Sequence, residues 1–290
     1  MGQSPAAARR RLGSELRGFR TAAGKRIEDA AKALDCSTAK ISRLEGGKGV
    51  PYPRDIRDLV LLYGADGDMK RLMELAEEGR AQDWFDDYKD VIEGEMFGVH
   101  QERYASLERD ASVIRWFEPE LIPGLLQSDE YVDAISRAVY PERSDKERKR
   151  FVEFRMQRQD AVLRRSTPSD LAFAVGELAI LRSMGGPHVL RRQLQVLAAE
   201  LDGPLKDVDF RLTPVGATHA AVFGGPFIVL RFPDPTDQDV VYQEGRDGAT
   251  YLESDREVER YLAKFRSVAT NSLSRAESID RIREQADQLD

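Results

Sequence analysis

The stretch Ile27-Glu28-Asp29-Ala30-Ala31-Lys32-Ala33-Leu34-Asp35-Cys36-Ser37-Thr38-Ala39-Lys40-Ile41-Ser42-Arg43-Leu44-Glu45 reads as two short helices around a tight turn. Ile27, Ala30, Ala31 and Leu34 recur at helical spacing in the first, and Ile41 and Leu44 do so in the second. Asp35 and Cys36 form the turn, and Ser37 stands where a side-chain oxygen caps the second helix. Helices joined so closely cross steeply, which leaves the second free to enter a major groove. Ala30 and Ala31 supply the small side chains that a close crossing needs. The turn calls for a left-handed residue. Glycine is commonest there, and Asp35 substitutes because its short polar side chain tolerates that region. With Ile41 and Leu44 turned inward, Thr38, Ala39, Ser42 and Arg43 face outward. An arginine there can bond guanine bidentately, while the Thr methyl and Ala can meet a thymine methyl. Lys40 points to a phosphate or to solvent, and Lys25, Arg26 and Lys48 stand where contacts to a DNA backbone fall.

Outward from this stretch, Leu12, Leu16 and Phe19 predict a preceding helix that Gly24 ends. Gly46-Gly47-Lys48-Gly49 stops the helix after Glu45, and Pro51 and Pro53 are expected to keep the next stretch from being helical. A fourth helix near Ile56, Leu59, Val60 and Tyr63 and a fifth with Met69, Leu72, Met73 and Ala76 complete a first domain over residues 1–80. The charge is divided in the same way. The 290 residues carry a net −7, yet residues 1–60 hold 13 basic against 7 acidic side chains, a local +6 that leaves −13 on the rest. A basic head on an acidic body is the footprint of a chain in which one domain meets phosphate.

Here the residues resemble a known family. Arg11-Leu12-Gly13-Ser14-Glu15-Leu16-Arg17, Ala30-Ala31 and Ser37 through Gly46 look like the phage-repressor-like helix-turn-helix regulators, often called the xenobiotic-response-element family. The run Ile41-Ser42-Arg43-Leu44-Glu45-Gly46 carries most of the likeness. The resemblance implies a five-helix DNA-binding domain over residues 7–80. It also implies that Arg20 and Glu45 form a buried structural ion pair rather than a DNA contact.

Residues 81–105, with Trp84, Phe85, Tyr88 and Phe97 among acids, are expected to form a packed connecting segment. Residues 106–290 mix both element types. Helices are predicted over 129–138, 145–165, 177–183, 187–201, 255–270 and 275–288, and strands over Leu171–Val175, Val208–Leu212, Phe227–Phe232 and Val240–Tyr242. The fold class is therefore a mainly α, five-helix helix-turn-helix domain followed by an α+β domain whose strand order the sequence does not give. Trp116 through Tyr131, Gly185-Gly186-Pro187 with Arg192-Gln193-Leu194, Gly224-Gly225-Pro226-Phe227, Val241-Tyr242-Gln243-Glu244 and Ser274 to Ile282 carry a second resemblance. They are similar to the antitoxin-like C-terminal domain of unknown function found behind such heads in actinobacterial regulators. Genes for such proteins often neighbour one for a small partner protein, which the resemblance adds to the candidate partners. Read on its own, Pro123-Gly124-Leu125-Leu126-Gln127 is a turn with two buried leucines and a glutamine placed to bond backbone.

Catalytic signatures are missing. His100, His188 and His219 lie far apart and are expected on the surface or in loops, and no His-x-x-x-His or cysteine pair supports a metal site. Gly-x-Ser-x-Gly is absent. Gly18 to Gly24-Lys25 has one residue too many for a phosphate loop, and Arg26 follows where Ser or Thr is needed. Cys36, the single cysteine, excludes an internal disulfide and suits a reducing compartment. No apolar run of about 18 residues predicts a spanning helix, and the first residues lack the apolar stretch of a secretory leader. The expectation is a cytoplasmic, nucleoid-associated protein that is no enzyme and takes no cofactor or metal. Its partners would be double-stranded DNA and a second copy of itself, with no membrane. The leading function is a sequence-specific transcriptional regulator, a repressor reading an inverted repeat as a homodimer. The alternatives are an antitoxin-like protein whose C-terminal domain restrains a small partner, and a regulator that responds to a small molecule.

Overall fold

A computed structural model describes residues 4–92, 101–217, 224–235, 237–245 and 248–289. The chain forms two compact units, one of Met1–Asp87 with Asp234–Asp237 and one of Tyr88–Pro233 with Gln238–Asp290. In the first, α1 (Pro5–Ala22) begins where Ser4 accepts a hydrogen bond from the Ala7 amide at 3.0 Å. It is followed by α2 (Ile27–Ala33), α3 (Thr38–Glu45), α4 (Pro53–Tyr63) and α5 (Met69–Arg80). Leu12 and Leu16 of α1, Ala30 and Ala31 of α2, Ile41 of α3, Ile56 and Leu59 of α4 and Leu72 of α5 share one core. Pro53 departs from the sequence expectation. It opens α4 rather than excluding it, because the first helical position needs no N–H donor and favours proline's fixed φ.

The second unit carries a short α6 (Lys89–Ile92) and then α7 (Gln101–Asp110), so residues 101–105 of the expected connecting segment belong to a helix. Phe97, His100 and His219 lie outside the described residues. The sheet strands are β1 (Val113–Glu118), β2 (Asp170–Gly176), β3 (Asp209–Thr213), β4 (Phe227–Arg231), β5 (Val240–Gly245) and β6 (Gly248–Leu252). Their order is β3-β2-β1-β4-β5-β6. β1, β2 and β3 run parallel, and β4, β5 and β6 pair antiparallel. Two helical crossovers join the parallel strands: α8 (Asp129–Val139) with α9 (Asp145–Leu163), then α10 (Leu178–Leu181) with α11 (Pro187–Asp202). The chain ends in α12 (Asp255–Thr270) and α13 (Arg275–Asp287).

Strand pleating sends successive residues to opposite faces, and helices cover both. Trp116, Phe173, Val175, Phe210, Ile228 and Tyr242 share a core with residues of α7, α11 and α13. Phe117, Ala172, Ala174, Phe227, Val229 and Val241 pack instead with Val258, Leu262 and Phe265 of α12. Residues 123–127 form the expected turn, with Leu125 and Leu126 buried and Gln127 Nε2 donating to the Ile122 carbonyl at 2.7 Å. Gln193 Nε2 donates to the Leu126 carbonyl at 2.8 Å, and Gln159 Nε2 to that of Gly124 at 2.9 Å. Among the described residues no helix is long and apolar enough to cross a membrane.

Candidate nucleic-acid interface

Helices α2 and α3 meet through a turn with one left-handed residue, Asp35 at φ 48°, the only non-glycine with positive φ among the described residues. Ser37 then caps α3, its hydroxyl accepting from the Lys40 amide at 3.2 Å. At the far end Gly47 takes φ 66°, with the Gly47 amide bonded to the Leu44 carbonyl at 3.1 Å and the Lys48 amide to that of Arg43 at 2.8 Å. These bonds satisfy carbonyls that the end of a helix leaves open. Cys36 is half-buried beside the turn.

The placement of α3 depends on a close approach. A Cβ on Gly13 of α1 would lie 2.5 Å from the Leu44 carbonyl oxygen and 2.7 Å from that of Glu45. Glycine inside a helix costs about 1 kcal/mol relative to alanine, and here it lets the last turn of α3 sit against α1. The same corner is tied by charge. Arg20 Nε meets Glu45 Oε1 at 2.6 Å, Nη2 meets Oε2 at 2.8 Å, and Nη1 donates to the Lys25 carbonyl at 3.0 Å. The side chains of Arg20 and Glu45 are 15% and 8% exposed. The bond to Glu45 raises the Arg20 pKa, and burial pushes the Tyr63 phenol beside the pair up to about 12.

On α3, Ile41 and Leu44 are buried while Thr38, Ala39, Ser42 and Arg43 are exposed, and Ser37 is exposed just before them. Arg26 and Lys48 are also exposed, and Lys25 is half-buried. The cationic ends of Lys25, Arg26, Arg43 and Lys48 meet no carboxylate at ion-pair distance among the described residues. Lys40 differs, with its Nζ 3.0 Å from Oδ2 of Asp55, a carboxylate 4% exposed at the start of α4. Asp55 was not singled out by sequence, since a partner fifteen positions away on another helix leaves no periodic signal. Gly13 was readable in principle, because a glycine in the middle of a helical pattern marks a packing requirement. His188 is exposed on α11, and among the described residues no group of His, Cys, Asp and Glu could hold a metal ion.

Two short helices across a left-handed turn, the second capped and exposed along one polar face, define a helix-turn-helix DNA-binding domain. The family model described as Helix-turn-helix domain matches residues 11–73. A second, Domain of unknown function (DUF5753), matches residues 101–284, and the chain belongs to that family. No curated protein and no solved structure matches the chain.

Proposed function

We propose that this protein is a sequence-specific transcriptional regulator that acts by binding, a repressor that reads an inverted repeat in double-stranded DNA as a homodimer. The observation that carries the reading is the exposed face of α3, where Thr38, Ala39, Ser42 and Arg43 project from a helix anchored by Ile41 and Leu44. Arg43 is the base reader, with a free guanidinium suited to the acceptor pair of guanine. Lys25, Arg26 and Lys48 are phosphate contacts, which position the domain without reading sequence. Lys40 serves Asp55 instead, and Arg20 with Glu45 holds the register of α3.

Selection of duplexes from a random pool by the full-length protein, followed by sequencing, tests this. The expected outcome is an enriched inverted repeat whose half-site centres lie about one helical turn, or a multiple, apart. A pool that stays random after several rounds overturns the reading.

A further inference from the structure

Helix α9 carries two arginines one turn apart into the second unit, and among the described residues only Arg158 forms an ion pair. Arg158, 2% exposed, places Nε 3.0 Å from Oε2 of Glu108, itself wholly buried and bonded by the Tyr104 hydroxyl. Arg155 has no such partner. Its Nη2 donates to Gln127 Oε1 at 2.9 Å, its buried Nε bonds to nothing, and no carboxylate lies at ion-pair distance among the described residues. Burial and the neighbouring Arg158 lower the Arg155 pKa to about 10, so it stays cationic at neutral pH. Glu244 and Glu108 offset this only in part, and a desolvated guanidinium with no directly paired carboxylate is costly.

Beside it lies a cavity of about 110 Å³. That is several times what one water needs and well below the roughly 300–1,000 Å³ of drug-sized sites. Arg155 and Arg158 line it, as do Trp116, Tyr242, Glu118 and Glu244. Burial raises the Glu118 carboxyl to about 7, and Glu244 is exposed at the rim. Glu118 and Glu244 lie at the carboxyl ends of β1 and β5, which run in the same direction on either side of β4. β1 is also where the chain reverses its course across the sheet, since β2 and β3 are added on one side and β4 on the other. Crevices at the carboxyl ends of strands, at such a switch point, are where open sheets bind ligands.

We propose that this cavity binds a small zwitterion with the chemistry of an α-amino acid, its carboxylate on Arg155, its ammonium on Glu118 and Glu244, and its side chain against Trp116 and Tyr242. A simple anion would meet the two carboxyls, and a simple cation would meet the guanidinium. A ligand bearing both charges pairs each set. The planar fork of Arg155 suits a carboxylate, which accepts two parallel N–H bonds. The proposal does not depend on the DNA-binding reading.

The test uses full-length protein, with the L-α-amino acids added singly and propionate and propylamine as one-charge analogues. Ligand that binds only the folded state raises the melting temperature, and Trp116 fluorescence, isolated by Trp84→Phe, reports occupancy of the cavity directly. At least one amino acid is expected to stabilise the protein and change that fluorescence, with neither analogue doing so at equal concentration. Arg155→Gln and Glu118→Gln should each weaken binding at least tenfold, Arg155→Lys should restore part of it, and Lys146→Gln on the exposed start of α9 should leave it unchanged. No response to any amino acid overturns the proposal. So does binding that survives both Arg155→Gln and Glu118→Gln, or propionate or propylamine binding as tightly as the amino acid.

Discussion

Arg20 and Arg43 are both guanidinium groups of the first unit, and their surroundings give them opposite work. Arg20 is held by both oxygens of Glu45 and by the Lys25 carbonyl, so substitution acts on folding. Arg20→Ala leaves Glu45, 8% exposed, without its charge partner and is expected to destabilise the protein by about 3 kcal/mol, the low end for a broken buried pair. Glu45→Ala should cost less, since Arg20 is the more exposed partner and keeps its bond to Lys25. Thermal unfolding of the two variants checks both the loss and its order. The Arg43 guanidinium makes no hydrogen bond or ion pair among the described residues and should contribute little to stability. Under the proposed role, Arg43→Ala removes about 1–3 kcal/mol of discrimination between the selected site and a scrambled duplex. Titrations of both duplexes at one salt concentration measure this, and an unchanged affinity ratio would exclude Arg43 as a base reader.

Among elements, α3 packs on α1 through Gly13, where an added Cβ would come closer to its neighbours than at the other described glycines of the first unit. Gly13→Ala would gain intrinsic helix propensity, yet its methyl would strike two backbone carbonyls of α3 that cannot swing aside. Overpacking of this kind costs about 1–3 kcal/mol, so the variant should melt below the parent despite the better helix former. A melting temperature at or above the parent's would show that α3 can shift without cost. The helix-turn-helix was legible in the sequence because its residues obey local rules: helical spacing, a cap at Ser37 and a left-handed Asp35. The second unit was legible only in part. β1 escaped because Ile114, Trp116 and Phe117 are buried toward helices on both faces, which erases the alternation of a one-sided strand. α7 escaped because Tyr104, Ala105, Ser106, Leu107 and Glu108 are all buried, so it has no polar stripe to set a period. Strand order depends on pairings between distant segments, and residue spacing along the chain does not carry it.

For the whole molecule, a single helix-turn-helix offers one recognition helix, and its few base contacts rarely specify a site among many competitors. Two heads related by a two-fold axis would double the reading, and joining them raises the effective concentration of the second once the first is bound. The first unit has its own core, in which Leu12, Leu16, Ile41, Ile56, Leu59 and Leu72 are nearly inaccessible, so it should fold when cut away from the rest. Its larger apolar side chains are mostly consumed in that core, with Tyr52 and Leu61 the large hydrophobics left exposed among its described residues. The proposed dimer contact therefore belongs to the second unit. Truncation after Asp87 should leave a folded monomer that keeps salt-sensitive, weakly selective DNA binding, while the full-length protein is a dimer at micromolar concentration. Light scattering of both proteins, with circular dichroism to establish that the truncation is folded, decides the matter. Dimerisation of the isolated head, or a full-length protein that remains monomeric, would remove the second unit from this role.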